Sequence, residues 1–79
     1  MFRKVDLHGY TQEEARTVIT RAISNMTEGE LKVIHGFSSP VLQSFVRQRY
    51  RNKRIEKKIL TMNPGETIFV IKKKEDKSK

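Results

Sequence analysis

The sequence contains no cysteine and no tryptophan. Without cysteine there is no disulfide partner, no thiolate nucleophile and no Cys-based zinc or iron–sulfur site. Proline occurs twice and glycine four times. Acidic residues are also scarce: nine Asp and Glu face seventeen Lys and Arg, a net charge of +8 over 79 residues. No apolar run approaches the ~18 residues that a membrane span needs. Met1 to Gly9 holds no continuous apolar segment of the kind a secretory leader requires. The expectation is a cytoplasmic protein that does not engage a membrane. A chain of this length buries one modest core. An active site must then be built from a few residues at the ends of secondary elements.

What the sequence has in excess is positive charge, which points to a polyanionic partner, most simply nucleic acid. Solubility is the plainer explanation. The distribution is uneven. Between Arg47 and Lys58, Arg47, Arg49, Arg51, Lys53, Arg54, Lys57 and Lys58 meet one acid, Glu56. Guanidinium groups match phosphate oxygens and stay charged, so an arginine-rich stretch is a stronger phosphate signal than dispersed lysines. The final stretch, Lys72 to Lys79, is lysine-rich without periodicity. Residues 75–79 read as a disordered tail following a domain of residues 1–74.

The pattern predicts the order strand, helix, strand, helix, strand, strand. Phe2 to Leu7 reads as a strand ending at His8-Gly9. Thr11 with Glu14 three residues on forms a capping box, and Ala15, Val18, Ile19, Ala22, Ile23 and Met26 follow at helical spacing. Glu30 to Ile34 is a second strand, ending at His35-Gly36. Ser39 and Pro40 then look like an N-cap and first-turn proline of a helix to about Tyr50. Its inward side is predicted at Val41, Leu42, Phe45 and Val46, with Gln43, Arg47, Gln48 and Arg51 outward. Ile55 to Met62 could extend a helix or form a strand. The Asn63-Pro64-Gly65-Glu66 turn and the apolar Thr67 to Ile71 favour a hairpin. Thr67 to Ile71 is apolar on both faces, which places it inside the sheet. The expected fold is an α/β two-layer sandwich, β-α-β-α-β-β. Its four-stranded mixed sheet takes the order one, two, four, three, with both helices on one face.

Both histidines fall at the C-terminal ends of predicted parallel strands, the edge where α/β sheets bind ligands. Strand periodicity puts Asp6 and His8 on one face. Gly9 and Gly36 let backbone N–H groups approach an anion or adopt positive φ, and the helices that follow add partial positive charge. Asp6, His8 and His35 are therefore the candidate catalytic residues for phosphodiester cleavage. A histidine near neutrality moves a proton, a carboxylate orients it or holds a cation, and basic side chains neutralise phosphate. The plain alternative is two histidines that merely finish strands. Tyr10 and Phe37 either stack on bases or cap the core. Two histidines and one aspartate make only three zinc ligands. No cofactor is specified, although Asp6 can join the water shell of Mg²⁺, which needs few protein ligands.

At these residues the chain resembles a Smr domain, the small MutS-related domain. The first family motif, Leu-Asp-x-His-Gly before a helix with Glu-Ala, appears as Val5-Asp6-Leu7-His8-Gly9 and Glu14-Ala15. The second, an apolar strand leading to His-Gly-x-Gly, appears as Val33-Ile34-His35-Gly36-Phe37-Ser38. A closing Gly-x-Thr with an apolar strand appears as Gly65-Glu66-Thr67 to Ile71. The resemblance implies a fold similar to the C-terminal domain of a bacterial translation initiation factor. It also implies nucleic-acid binding and, as in several members, endonuclease activity on DNA or RNA with Asp6 and His8 in the cleavage site. Members occur as stand-alone proteins and in ribosome-associated proteins, so the ribosome is a further expected partner. Val5 replaces the usual leucine, a packing change. Ser38 replaces the second glycine of the second motif, which bears harder on cleavage than on binding.

The expected nucleic-acid contacts are Gly9, Tyr10, Gly36, Phe37, Ser38, Arg47, Arg51, Lys53, Arg54, Lys57 and Lys58. Three functions remain open on the sequence: a nuclease, a nucleic-acid or ribosome binding module without chemistry, and a protein-interaction domain.

Overall fold

The computed structural model describes residues 1–36 and 39–74. The expectations for Phe37, Ser38 and the 75–79 tail lie outside the described residues. The elements are β1 (Phe2–Asp6), α1 (Gln12–Ser24), β2 (Gly29–Ile34), α2 (Pro40–Ser44), β3 (Ile55–Leu60) and β4 (Glu66–Ile71). A π-helical turn over Phe45–Arg49 continues α2.

The capping box forms as the sequence predicts. The Glu14 backbone N–H donates to Thr11 Oγ1, and the Thr11 N–H donates to Glu14 Oε1. That closes two of the helix's otherwise unpaired donors. Ala15, Ile19, Ala22 and Ile23 form the buried stripe of α1.

The second helical segment departs from expectation. Tyr50 donates its backbone N–H to Phe45 five residues back, and the wide turn carries both rings into the core. Tyr50 stacks on Phe69 with ring centroids 6.0 Å apart and meets Phe45 edge-on at 5.9 Å. Its hydroxyl, which could not be buried unpaired without cost, bonds Thr20 and Asn52. Val41, expected inside, is exposed, because it sits in the first turn of a short helix at the rim.

The sheet order is β1-β2-β4-β3. β1 and β2 are parallel, and β4 runs antiparallel to both β2 and β3. The doubly apolar Thr67 to Ile71 is thus inside the sheet, as its composition predicts. Along β4 the residues alternate between buried and half-buried. Leu31, Val33, Phe69 and Ile71 join residues of α1, α2 and the π turn in one core. The other sheet face carries Lys4, Asp6, Lys32, Ile34 and Ile68, which neighbour one another through the strand register.

The strand directions divide the molecule into two ends. Asp6, Ile34 and Glu66 are register partners at one edge of the sheet. Phe2, Glu30 and Val70 are partners near the other. Four strand steps, at ~3.3 Å each, separate them by roughly 13 Å.

Candidate functional site

β1 ends where Asp6 turns its carboxylate onto the next turn of chain. Asp6 Oδ1 accepts the His8 backbone N–H at 3.0 Å and meets His8 Nδ1 at 2.7 Å. Both side chains are more than 60% exposed. The carboxyl titrates below its ordinary value, chiefly because of the His8 backbone N–H and then the His8 ring, with smaller help from the His8 and Lys4 charges. An ionised carboxylate only accepts, so Nδ1 must carry the ring proton. In the neutral ring Nε2 then keeps its lone pair.

The second His-Gly pair meets the first through its glycine. Gly36 has φ of +84°, and a Cβ placed there would stand 2.8 Å from His8 Nε2. His8 Nε2 therefore lies against the bare Cα of Gly36. The Gly36 and His35 backbone N–H groups both donate to Gly65 O, in the β3–β4 turn. Three separated segments converge at this edge.

His35 behaves differently from His8. It is 1% exposed, with Nε2 3.0 Å from Thr67 Oγ1 and Nδ1 3.4 Å from Gly36 O. It does not offer an imidazole to solvent. β2 is an inner strand whose end is covered by the β3–β4 turn, whereas β1 is an edge strand followed, among the described residues, by the exposed His8, Gly9 and Tyr10. Burial pushes the His35 pKa down; the Gly36 carbonyl opposes this, the Arg47 charge adds to it and Glu66 opposes it more weakly.

This has a consequence for stability. The ordinary histidine value is 6.5, and the folded value is lower. Below 6.5 the unfolded chain binds a proton that the folded chain refuses, so stability is full above that pH. It declines as pH falls from 6.5 towards the lowered folded value. Asp6 acts in the same direction but a more acidic range, where a depressed carboxyl loses its contribution only as pH falls below 3.8. Urea titrations through the His35 window are expected to show the decline, and His35→Gln to flatten it. A slope unchanged in that variant would assign the titration to another group.

The basic stretch does not form one surface beside Asp6 and His8. Arg47, expected outward, turns in: Nε donates to Thr67 Oγ1 at 2.8 Å and Nη2 to Glu66 O at 2.9 Å. Arg54 donates to the carbonyls of Ile23, Thr27 and Lys72. Lys58 donates to the carbonyls of Val46, Tyr50 and, at longer range, Arg47, closing the C-terminus of the helical segment. Burial, then the Arg51 charge, lowers the Lys58 pKa. These three cations are engaged within the fold. Arg51, Lys53 and Lys57 are exposed. Arg51 and Lys53 precede β3, at the end of the sheet opposite Asp6. Gly9 and Tyr10 are exposed beside His8.

Two lysines stand nearer to the pair. Lys4 lies two residues before Asp6 on the same face and is the register partner of Lys32, which pairs with Glu66 at 3.6 Å. The alternation Lys4-Asp6-His8 is the sequence signal that marks Lys4. Lys32 emerges only from the parallel register. Among the described residues no group of three or more His, Cys, Asp or Glu side chains could hold a metal ion.

The family model of the Smr domain matches residues 5–67. The chain belongs to the Smr domain family. No curated protein and no solved structure matches it. The Smr match begins one residue before Asp6 and ends on Thr67, the residue that His35 and Arg47 both contact. The matched stretch thus spans all three segments that meet at the Gly36 contact.

Proposed function

We propose that this Smr domain binds nucleic acid and cleaves phosphodiester bonds with Asp6 and His8. The observation that carries the reading is the exposed pair itself, a carboxylate on Nδ1 with Nε2 left as a base at an open sheet edge. Nε2 takes a proton from the attacking oxygen, either water or, on RNA, the 2′-hydroxyl. That oxygen bonds to phosphorus while the bond to the leaving oxygen breaks. The imidazolium, stabilised by Asp6, returns its proton to the leaving oxygen. Lys4 supplies positive charge on the same face, and Lys32, paired with Glu66, lies beside it. His35 is too buried to share the proton transfer and has a supporting role.

The alternative of binding without chemistry draws on the exposed Arg51 and Lys53, which lie at the far end of the sheet and serve affinity in either case. One gel assay separates the readings. Wild type and His8→Ala are incubated with labelled single-stranded RNA, structured RNA and branched DNA, with Mg²⁺ and with EDTA. Products from wild type but not from His8→Ala are the expected result. A salt-sensitive shift with no products from either would overturn the nuclease reading and leave a binding domain. No shift and no products would overturn both.

A further inference from the structure

We propose that Arg47, Thr67 and His35 are positioning residues for His8, acting through Gly36. The role in catalysis rests on the reading of His8 given above; the geometry does not. The direction of every hydrogen bond follows from donor chemistry. Arginine has no acceptor, so Arg47 Nε–H donates to Thr67 Oγ1. The single Thr67 hydroxyl proton is then free for His35 Nε2, 3.0 Å away. The Gly36 carbonyl can only accept, so neutral His35 carries its proton on Nδ1, 3.4 Å from Gly36 O, and Nε2 accepts the Thr67 proton. One neutral tautomer of His35 satisfies all three contacts.

The chain of contacts ends on a meaningful atom. Gly36 is held from one side by its N–H on Gly65 O, at 3.0 Å, and from the other by His35. Its φ of +84° turns the bare Cα towards His8, where an added Cβ would lie 2.8 Å from Nε2 and 3.2 Å from Cδ2. Asp6 fixes one side of the His8 ring. Gly36 limits the other. Arg47 is secured independently by Nη2 on Glu66 O, so the relay starts from a side chain with two fixed bonds. Thr67 is fully buried, and an apolar residue of its shape would fill the same space without setting the His35 tautomer.

Around His35 the charged groups are Arg47 and Glu66, and Glu66 is itself paired with Lys32. None of them takes the His35 proton in this arrangement. The proposed role is to hold geometry.

The test is NMR on the whole chain, whose two histidines give separable imidazole signals. In wild type, a Gly36 Hα to His8 ring NOE is expected, with His35 nitrogen shifts of a single tautomer. Thr67→Val keeps the shape and removes the hydroxyl. It is expected to mix the His35 tautomers and weaken the Gly36–His8 NOE several-fold, with Thr67→Ser restoring both. Arg47→Lys keeps the charge but loses the Nε geometry; it is the second variant if Thr67→Val does not fold, and the same changes are expected. In the cleavage assay, kcat is expected to fall about ten- to a hundredfold at unchanged KM, the effect of a misplaced rather than missing group. A folded Thr67→Val or Arg47→Lys protein with the wild-type NOE overturns the proposal. A weakened NOE supports it even if wild type cleaves nothing, a result that counts only against the nuclease reading.

Discussion

Asp6→Asn is expected to leave the fold intact and lower the cleavage rate about 10²–10⁴-fold, the range for losing a positioned acid–base group. Asparagine can still accept the His8 backbone N–H through its carbonyl oxygen, so the turn survives. The same oxygen meets Nδ1, so only the flipped amide, which gives up the backbone bond, offers N–H to Nδ1. The ring proton then moves to Nε2, and the nitrogen proposed as the base becomes a donor instead. Even without that reversal, the charge that stabilises the imidazolium is gone. Affinity moves the other way: removing a carboxylate that stands beside Lys4 favours an approaching phosphate. Reduced kcat with unchanged or lower KM is the expected signature in steady-state assays. Cleavage within a few-fold of wild type would show that Asp6 and His8 are not the reacting pair.

Gly36→Ala is the second large effect, and its two parts can be separated. The residue sits at φ +84°, where a Cβ costs about 1–2 kcal/mol. The new methyl would also overlap His8 Nε2. Because the His8 side chain is exposed, its ring can swing away, so the overlap disturbs the site more than the fold. Gly9→Ala is the matched control. Gly9 has φ +81°, and nothing lies within 4 Å of its Cβ position. Both variants are expected to lose similar stability in thermal melts, at about 4–8 °C per kcal/mol for a small domain. Gly36→Ala alone should also displace His8 and abolish measurable cleavage. Equal activity in the two variants would show that the Gly36–His8 approach has no part in catalysis.

The element order and the central place of β4 were legible in the sequence because each rests on a local pattern. The capping box, the stripe of α1 and the doubly apolar Thr67 to Ile71 speak for themselves. The Asp6–His8 pairing was also legible, from two-residue alternation at a strand end. The fate of His35 was not. Its His-Gly repeats that of His8, and nothing in four residues tells an edge strand from an inner one. Exposure depends on the β3–β4 turn folding back over β2, which is a tertiary fact. Arg47, Arg54 and Lys58 were misleading for a related reason. A cation reads as surface until the carbonyls it meets are known, and those of Ile23, Thr27 and Lys72 are far from Arg54 in sequence. The π turn was hidden too, since the spacing of Phe45 and Tyr50 fits no regular helical face.

Arg54 ties the last turn of α1, the loop before β2 and the chain after β4 with one guanidinium. Those three segments share a fastener, so they should lose amide-exchange protection together, as one cooperative opening. The histidine edge lies at the other end of the sheet and shares none of these bonds. Substitutions at the two ends therefore combine additively, as distant sites without common partners do. The Arg54 end can be loosened or reinforced to tune stability while the spacing of Asp6, His8 and Gly36 stays as it is.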